Sequence, residues 1–324
     1  MFRMQSHITT GVFKPFKPHS VSWRKGIDNY SDTAVFKVPG LARLRCSDNQ
    51  YSIVNAAEQF TEGMPVEIYA GYNEVLPLRF MGFIRRINFT IPVEVECEGY
   101  SYLLRKKEGY SVSYKKVTAK QLLTDLCVGT AIKIAPDMLN IPLENIFFKN
   151  VKGTDVLEYL KDKCLLTVNF VNDILHCGLK EAQVAKTVKL RLGWNVIKDN
   201  NLKFETGKEL ATVVMQIQKR NNDGTIMKVK HGPKDGAIKI LKVANISDAA
   251  TLKSIAEGKR KKLVFRGYEG MITLFAKPYL EPGMAVDIYD RRYPQRSGKY
   301  FVEAVEGSFD TGGGRQKVKI GASL

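Results

Sequence analysis

The residues best suited to metal binding or nucleophilic chemistry are five cysteines and four histidines. Metal and redox sites usually bring such residues together at short spacings, and neither a Cys-x-x-Cys pair nor a His/Cys cluster occurs in this sequence. The cysteines are spread among apolar or strand-like neighbours. We therefore predict reduced cysteines in the protein core and no zinc site. The cysteines are Cys46, Cys97, Cys127, Cys164 and Cys177, and the histidines are His7, His19, His176 and His231.

Three carboxylates stand close together between residues 93 and 98. Glu94 and Glu96 alternate with valines, which is typical of the exposed face of a β-strand. Glu96 and Glu98 also form a pair of the kind that glycosidases use, but no other catalytic motif accompanies them. The chain contains no Gly-x-Ser-x-Gly, His-Glu-x-x-His or Walker sequence. We therefore predict no catalytic, cofactor or metal site, and a protein that is not an enzyme.

A run of three glycines, 312–314, is the remaining candidate for a phosphate-binding loop. Such loops continue with Lys-Ser or Lys-Thr into a helix. Neither feature follows this run, so we predict a hairpin turn.

The formal net charge of +17 would suit a protein that binds nucleic acid. Dedicated readers of nucleic acid usually concentrate positive charge in one element, whereas the basic runs here are scattered. One interpretation is that these runs are solvated or contact acidic partner proteins. The alternative is a basic β-barrel that binds single-stranded nucleic acid, with tyrosines stacking on bases. The runs are Arg24-Lys25, Arg105 to Lys107, Lys115-Lys116, Lys259 to Lys262 and Arg291-Arg292, and the tyrosines are Tyr69, Tyr100 and Tyr289.

A short sequence in the first third of the chain returns in the last third. The stretch 63–69, Gly-Met-Pro-Val-Glu-Ile-Tyr, matches 283–289, Gly-Met-Ala-Val-Asp-Ile-Tyr, at five of seven positions. Each copy predicts a turn that leads into a strand, with the two aliphatic residues on one face and the tyrosine on the other. The residues of this structural strand motif are Gly63, Val66, Ile68 and Tyr69 in the first copy and Gly283, Val286, Ile288 and Tyr289 in the second.

The elements that follow each copy also correspond in order. Gly82 opens a β run after the first copy and Gly298 opens one after the second. Each run is followed by another predicted strand, 93–97 in the first case and 316–320 in the second. We therefore predict two β domains of common architecture.

Proline-rich, helical and alternating patterns divide the chain into four predicted segments. The first segment, with its prolines among basic and aromatic residues, is expected to become ordered only on a neighbouring molecule. The last one contains a predicted helix near 247–262, with Ser247 as its N-cap. The segments are an arm over 1–19, a first β-barrel domain over 20–116, an α+β domain over 117–190 and a second β-barrel domain over 191–324.

Taken in order, these elements resemble the baseplate hub family of contractile phage tails, also called the late control protein D family. This family includes Mu-like phage tail proteins and the N-terminal hub region of type VI secretion spike proteins. The resemblance covers nearly the whole chain and rests on order and spacing rather than on one diagnostic motif. The segments that carry it are Trp23 to Val38, Gly63 to Tyr69 with Gly82, Glu96 to Tyr100, Phe147 to Leu160, Tyr268 to Gly270, Leu280 to Tyr289 and Gly298 to Gly321.

The resemblance implies a mainly β fold with an α+β insertion, in which two related tube-type β-barrel domains flank a small α+β domain. It also implies a trimeric, pseudo-sixfold ring, because each of three chains supplies two similar domains. The protein would then be a structural baseplate hub of a phage tail or a related contractile injection device, adapting the sixfold tail tube to the threefold central spike. Its partners would be two more copies of itself, the tail tube protein above, a separate spike protein below and other baseplate proteins.

The resemblance further implies a channel through the ring for DNA or effectors, without specific binding of the DNA. The basic runs are expected to face outward or into protein contacts, because a strongly cationic lumen would retain phosphate. No long uninterrupted apolar run and no signal-peptide pattern occur in the sequence. We therefore expect assembly in the host bacterial cytoplasm and a final location in the baseplate of the virion tail.

Overall fold

The computed structural model describes residues 3–11, 13–45, 51–179, 186–206, 212–221 and 223–323. Most of its elements are β-strands, as the sequence predicts. The strands are β1 (Met4–Thr10), β2 (Ser20–Gly26), β3 (Thr33–Val38), β4 (Leu41–Arg45), β5 (Tyr51–Asn55), β6 (Pro65–Tyr72), β7 (Leu78–Asn88), β8 (Val93–Glu98), β9 (Tyr110–Thr118), β10 (Lys133–Ile134), β11 (Pro142–Val151), β12 (Thr167–Val171), β13 (Ile174–Gly178), β14 (Thr187–Arg191), β15 (Val196–Glu205), β16 (Val214–Arg220), β17 (Ile226–His231), β18 (Ile238–Lys242), β19 (Gly267–Phe275), β20 (Ala285–Tyr289), β21 (Gly298–Asp310) and β22 (Gly313–Ser323). The α-helices are α1 (Ser101–Lys106), α2 (Ala119–Cys127), α3 (Gly153–Asp162) and α4 (Ala249–Val264).

Twelve strands form one continuous sheet, which consists of two six-stranded halves. The halves meet where β2 pairs with β21. In the first half the strand order is β1-β6-β7-β8-β3-β2, and in the second half it is β14-β20-β21-β22-β19-β15. Both the spatial order and the order along the chain therefore repeat. The internal repeat extends over six strands, well beyond the seven residues that first indicate it.

The correspondence between the halves includes a β-bulge. The ladder between β7 and β8 shifts register at Arg85, and the ladder between β21 and β22 shifts at Glu303. These two positions are equivalent. Arg85 follows Ile84, which pairs with Cys97 of β8, and Glu303 follows Val302, which pairs with the equivalent Ile320 of β22. A bulge bends and twists a strand, so the two halves curl in the same way.

Each half curls around an apolar core of its own. Alternate residues of its strands point inward and are fully or almost fully buried, which is the pattern of a sheet covered on one face. The first core includes Ile8, Phe36, Ile68, Phe80 and Ile84, and the second includes Ile272, Val286, Ile288, Val302 and Ile320.

The described residues of the segment 1–19 belong to the first half and do not form an arm that requires a neighbouring molecule. β1 pairs antiparallel with β6 along all seven of its residues. Ile8 of this strand is 0% exposed in the first core. The prediction of an arm is therefore wrong. The strand gives a weak sequence signal because only Ile8 and Thr10 of its seven side chains are buried.

A third core lies in the α+β part and is built from two separate stretches of chain. It combines residues between 100 and 179 with residues between 213 and 263. Main-chain hydrogen bonds connect the stretches, with Glu144 N–H donating to Asn245 O and Ala244 N–H donating to Lys163 O, both at 2.8 Å. The middle of the molecule is therefore completed by an insertion between β15 and β19.

The predicted helix near 247–262 is present as α4, but its position differs from the expectation. Its buried residues Leu252, Ile255 and Ala256 pack into the third core and not into the second β half. The helix is capped by Asp248 instead of Ser247, since the Asp248 carboxylate accepts hydrogen bonds from the N–H groups at the start of the helix. The insertion that contains α4 lies between β15 and β19, which pair with each other. The sequence therefore gives no sign that α4 packs outside the β half that surrounds it in the chain.

Several local predictions are confirmed. In the sequence, Thr118 and Gln121 have the spacing of a capping box, and alternating runs on either side of turns predict hairpins over 21–38, 165–179 and 212–230. Thr118 caps α2, its hydroxyl accepting the Gln121 N–H at 3.1 Å. β2 and β3, β12 and β13, and β16 and β17 form antiparallel hairpins. The glycine run lies at a hairpin turn, with Gly312 in the turn between β21 and β22 and with Gly313 and Gly314 at the start of β22. Asn222, predicted in the turn after β16, and Cys46 lie outside the described residues.

Candidate functional site at the joint of the two halves

The repeated motif forms the same glycine turn in both halves. Gly63 and Gly283 have φ values of 85° and 90°, in the left-handed region that glycine adopts without steric strain. Each glycine N–H donates to a residue of the next strand, whose own N–H donates back to the methionine after the glycine. The bonds are Gly63 to Ile84 (2.8 Å), Ile84 to Met64 (2.8 Å), Gly283 to Val302 (3.0 Å) and Val302 to Met284 (2.9 Å).

The side chains of the motif build the strands. The four aliphatic residues Val66, Ile68, Val286 and Ile288 are at most 1% exposed. The Tyr69 hydroxyl donates to Glu67 at 2.7 Å, which raises the pKa of Tyr69, and its ring stacks on His7. Tyr289 is 47% exposed, with the Arg191 guanidinium 5.4 Å from its ring centre. Both tyrosines thus have a ring partner within their own half.

The joint between the halves is an antiparallel ladder in which β2 lies against β21. Trp23 lies opposite Gly307, and a Cβ at Gly307 would fall 2.0 Å from the indole ring. The indole also stacks on Phe309, with ring centres 6.1 Å apart. Position 307 therefore requires glycine, because the indole fills the space of any side chain there.

A buried arginine connects the two halves beside this ladder. Arg79 is 2% exposed, and its Nε donates to Ala70 O in the first half at 2.8 Å. A terminal nitrogen donates to Ala276 O in the second half at 3.4 Å, and the guanidinium lies 3.9 Å from the centre of the Tyr279 ring. Burial lowers the pKa of Arg79, and the neighbouring Tyr279 opposes that shift. Sequence reasoning missed Arg79, whose signal is an arginine flanked by apolar residues within a strand.

A second polar cluster crosses the joint. The Lys25 ammonium, 9% exposed, donates to the Glu281 carboxylate at 3.1 Å, and the Tyr279 hydroxyl donates to the same carboxylate. Asp32 is buried close by, and its burial raises its pKa to about 7 while Lys25 opposes the shift. The joint thus contains a carboxyl group that titrates near neutral pH.

The outer face of the sheet, turned away from the cores, carries pairs of opposite charges on neighbouring strands. A shallow groove crosses this face at the joint, lined by Ser22, Arg24, Ser308, Arg315 and Lys317 among others. Exposed pairs of this kind contribute little to stability, about 0–1 kcal/mol each, but they neutralise the local charge. The pairs are Arg24 with Glu306 (3.4 Å), Lys37 with Glu94 (2.9 Å) and Arg86 with Glu96.

The carboxylates that the sequence singles out for chemistry each have a partner within the chain. Glu98 is 0% exposed and accepts hydrogen bonds from Ser101 at 2.8 Å and Arg105 at 2.9 Å, whereas Glu96 binds Arg86. These two carboxylates therefore have separate structural partners. Within the described ranges, no cluster of histidine, cysteine or carboxylate groups suits a metal ion. No helix in the same ranges has the length and apolar character to cross a membrane.

Four cysteines are buried as free thiols in the cores, as predicted. Burial raises the pKa of Cys127, Cys164 and Cys177 to about 12 and also raises that of Cys97. These thiols are protonated near neutral pH and are poor nucleophiles. The free and buried cysteines are Cys97, Cys127, Cys164 and Cys177.

Several basic runs make contacts within the chain. The Lys107 ammonium donates to the carbonyl oxygens of Leu126 and Val128 at the C-terminal end of α2, where a cation is favoured. Lys262, at the end of α4, lies 3.5 Å from Glu303. Tyr100 is 8% exposed and packs in the third core, so it is not available for the base stacking that the nucleic-acid alternative assigns to it.

Comparison with known proteins gives structural matches. No protein-family model matches the chain, and no curated protein matches its sequence. The tail protein from Neisseria meningitidis MC58 matches with a TM-score of 0.69 and 11% identity, covering 98% of this chain and 96% of that one. The 43 kDa tail protein of prophage MuSo2 from Shewanella oneidensis matches with a TM-score of 0.66 and 12% identity, covering 98% of each chain.

The chain has the phage tail-protein fold. A component of the E. coli type VI secretion system, itself described as similar to two bacteriophage T4 tail proteins, also shares this fold, with a TM-score of 0.61, 10% identity and coverage of 98% of this chain and 77% of that one. The resemblance drawn from the sequence is confirmed at the level of fold. The two halves, their joint and the inserted α+β part are thus features of a tail-protein fold.

Proposed function

We propose that this protein is a structural baseplate hub, three copies of which form a ring around a central channel. The observation that carries the proposal is the six-stranded repeat within a tail-protein fold. Two equivalent halves per chain give six similar units in a trimer. Such a ring matches a sixfold tail tube on one side, while its true threefold symmetry matches a central spike on the other.

The outer face at the joint supports a channel that DNA or an effector crosses without being held. A wall of unpaired cations would bind phosphate by releasing counterions, and the affinity would depend strongly on salt. Several cations on this face instead lie beside carboxylates, as in the pairs of Arg24 with Glu306 and Lys37 with Glu94. We assign this face to the lumen, with the tail tube protein above the ring, the spike protein below it and other baseplate proteins around it.

The proposal locates the protein in the baseplate of a virion tail or a related injection device, after assembly in the bacterial cytoplasm. The mass of the purified protein in solution and cryo-images of its assembly test it. A trimeric mass and rings with a central opening are expected. A stable monomer without rings in any assembly would overturn the proposal.

The net charge of +17 favours a second candidate function, a protein that binds single-stranded nucleic acid. Anisotropy of labelled single-stranded DNA at physiological salt separates the two functions. The hub proposal expects weak binding, whereas submicromolar affinity would support the second function.

A further inference from the structure

β7 and β21 occupy equivalent places in the two halves, but they have different neighbours. Beyond Val302, β21 is covered along its outer edge by β2. Beyond Ile84, β7 pairs only with β8 in the part of the chain that the structure describes. Because Ile84 and Val302 make the same hydrogen bonds to their glycine turns, they are equivalent positions. β7 therefore has an open edge where β21 has a partner strand.

The exposure of the side chains also differs between β21 and the counterpart positions of the first half. Phe309 of β21 is 3% exposed, whereas its counterpart Ile91 is 94% exposed. Gly307 is buried beneath Trp23, whereas its counterpart Phe89 is 75% exposed. Large apolar side chains thus lie in the open at the positions that β2 covers in the other half.

The main chain at this edge is also oriented for pairing. Ile27 N–H donates to Glu303 O at 2.9 Å, so alternate residues from Glu303 onward turn their N–H and C=O groups toward β2. Counting from the equivalent bulge, Ile87 and Phe89 turn the same groups toward the open edge of β7. An exposed edge of this kind is a template for another strand.

The counterpart of β2 also has an open edge among the described residues. β15 pairs with β19 as β2 pairs with β3, and within the described ranges β15 is the last strand of the sheet. Leu202 is the counterpart of Trp23, because each lies opposite an equivalent residue of the neighbouring strand, Gly270 in one half and Ala34 in the other. The described part of the chain therefore has two open edges, one on β7, the counterpart of β21, and one on β15, the counterpart of β2.

We propose that β15 of one copy pairs antiparallel with residues 86–90 of the next copy, repeating between chains the ladder that joins β2 to β21 within each chain. This proposal rests on the proposed trimeric ring and defines the register of its interface. The intramolecular ladder places Arg24 opposite Glu306 and Gly26 opposite Ala304. The equivalent register is Glu205 opposite Arg86, Phe204 opposite Ile87, Lys203 opposite Asn88, Leu202 opposite Phe89 and Asn201 opposite Thr90.

The side chains brought together by this register are compatible. Leu202 would cover Phe89, and Phe204 would cover Ile87, so the apolar groups at the open edge leave water. Glu205 would face Arg86, an opposite-charge pair across the strands. These matches favour a second copy of this chain as the occupant of the edge.

The contact runs head to tail, because it joins two different edges of the same chain. Each copy would contribute a continuous run of eight strands, β7-β8-β3-β2-β21-β22-β19-β15. Alternating joints within chains and between chains would then be equivalent, and three copies would close the ring. Closure would leave neither edge open.

A disulfide placed at the register tests the proposal. In the intramolecular ladder Arg24 and Glu306 form a non-hydrogen-bonded pair, where Cα atoms lie about 4.5 Å apart, within the range that a disulfide spans. The double variant Asn88→Cys/Lys203→Cys carries cysteines at the equivalent positions of the interface. Its matched control is Asn88→Cys/Asn201→Cys, two residues out of register, with Cα atoms about 8 Å apart. Both variants and the unmodified protein are oxidised and analysed by non-reducing gel electrophoresis and by mass in solution.

The in-register variant is expected to give covalent dimers and trimers in high yield, at least fivefold more than the control. A trimeric mass without preferential cross-linking would overturn the register while leaving the proposed ring intact. A monomeric mass for all three proteins would overturn both the pairing and the ring.

Phe89→Lys provides an independent measurement, since it places a charge at the pairing edge. It is expected to weaken trimer formation at least tenfold, whereas Ile53→Lys, at a residue that is 69% exposed in the β4–β5 hairpin, should leave it unchanged. Equal effects of the two lysine substitutions would contradict the proposal.

Discussion

Three charged residues are buried where the two halves meet. Lys25, Arg79 and Asp32 are each at most 9% exposed, although such side chains usually stay at the surface. Lys25 and Arg79 bind oxygen atoms of the second half. Removal of one member of such a cluster leaves a buried polar group without its partner, which costs more than the loss of a surface pair.

The first prediction concerns Asp32, whose pKa is raised to about 7 by burial. A raised pKa means that the folded protein favours the protonated carboxyl group. The resulting stability is fully present below about pH 4 and is lost as the pH rises through 7. Relative to Asp32→Asn, the free energy of unfolding of the unmodified protein should fall by about 2 kcal/mol between pH 5 and pH 8. Urea unfolding at both pH values measures this, with the exposed Asp137→Asn as control. Parallel pH profiles of the unmodified protein and Asp32→Asn would rule the effect out.

The second prediction concerns Arg79. Arg79→Ala should lower the free energy of unfolding by about 3 kcal/mol, because it removes charge-assisted hydrogen bonds and leaves a cavity between the halves. Lys37→Ala removes an exposed pair with Glu94 and should cost less than about 1 kcal/mol. Thermal or denaturant unfolding of both variants gives the comparison. Equal losses would show that Arg79 contributes no more than a surface charge.

At the scale of elements, the two glycine turns fix where β6 and β20 begin. Each turn positions a main-chain N–H against the neighbouring strand immediately before the equivalent bulges. Turn and bulge together set both the register and the bend of a half. The repeated Gly-Met therefore helps to set the register and the bend of each half.

The third prediction tests these turns. Gly63→Ala and Gly283→Ala should each cost about 1 kcal/mol, because a Cβ disfavours the left-handed conformation that both glycines adopt. Gly40→Ala is the matched control, since Gly40 has open space around its Cα and does not adopt a positive φ. It should be neutral or slightly stabilising. Chemical denaturation of the three variants measures the differences in the free energy of unfolding. An unchanged value for Gly283→Ala would show that this turn does not depend on glycine as the prediction requires.

The sequence predicts those elements whose information is local. The glycine turns, the hairpin of β2 with β3 and the Thr118 cap each depend on a few neighbouring residues. The place of α4 depends on the pairing of β15 with β19 across a long insertion, which no local pattern records. Lys25 and Arg24 are adjacent basic residues, and no local pattern records that Lys25 meets Glu281 of the second half. The joint was therefore missed because its residues come from distant parts of the chain.

For the whole molecule, the proposed lumen makes the balance of charge on the outer face testable. The fourth prediction is that Glu94→Gln/Glu306→Gln, which leaves the cations of Lys37 and Arg24 without their carboxylates, increases the affinity for single-stranded DNA at least fivefold. The control, Glu62→Gln/Glu108→Gln, makes the same charge change in exposed pairs with Lys106 and Lys152 away from this face. Anisotropy titrations at several salt concentrations measure both. Equal gains would argue against assigning this face to the lumen.

Among the described strands, one equivalent pairing has opposite directions in the two halves, and it involves the strands that begin at the glycine motifs. β1 runs antiparallel to β6, whereas β14 runs parallel to β20. In a closed ring of three copies, these two kinds of border would alternate around the outside. A partner that docks on the circumference would therefore meet three binding sites of one kind and three of another. Because of this difference, a protein with threefold symmetry would bind in only one of the two distinct orientations that a ring of six identical units would allow.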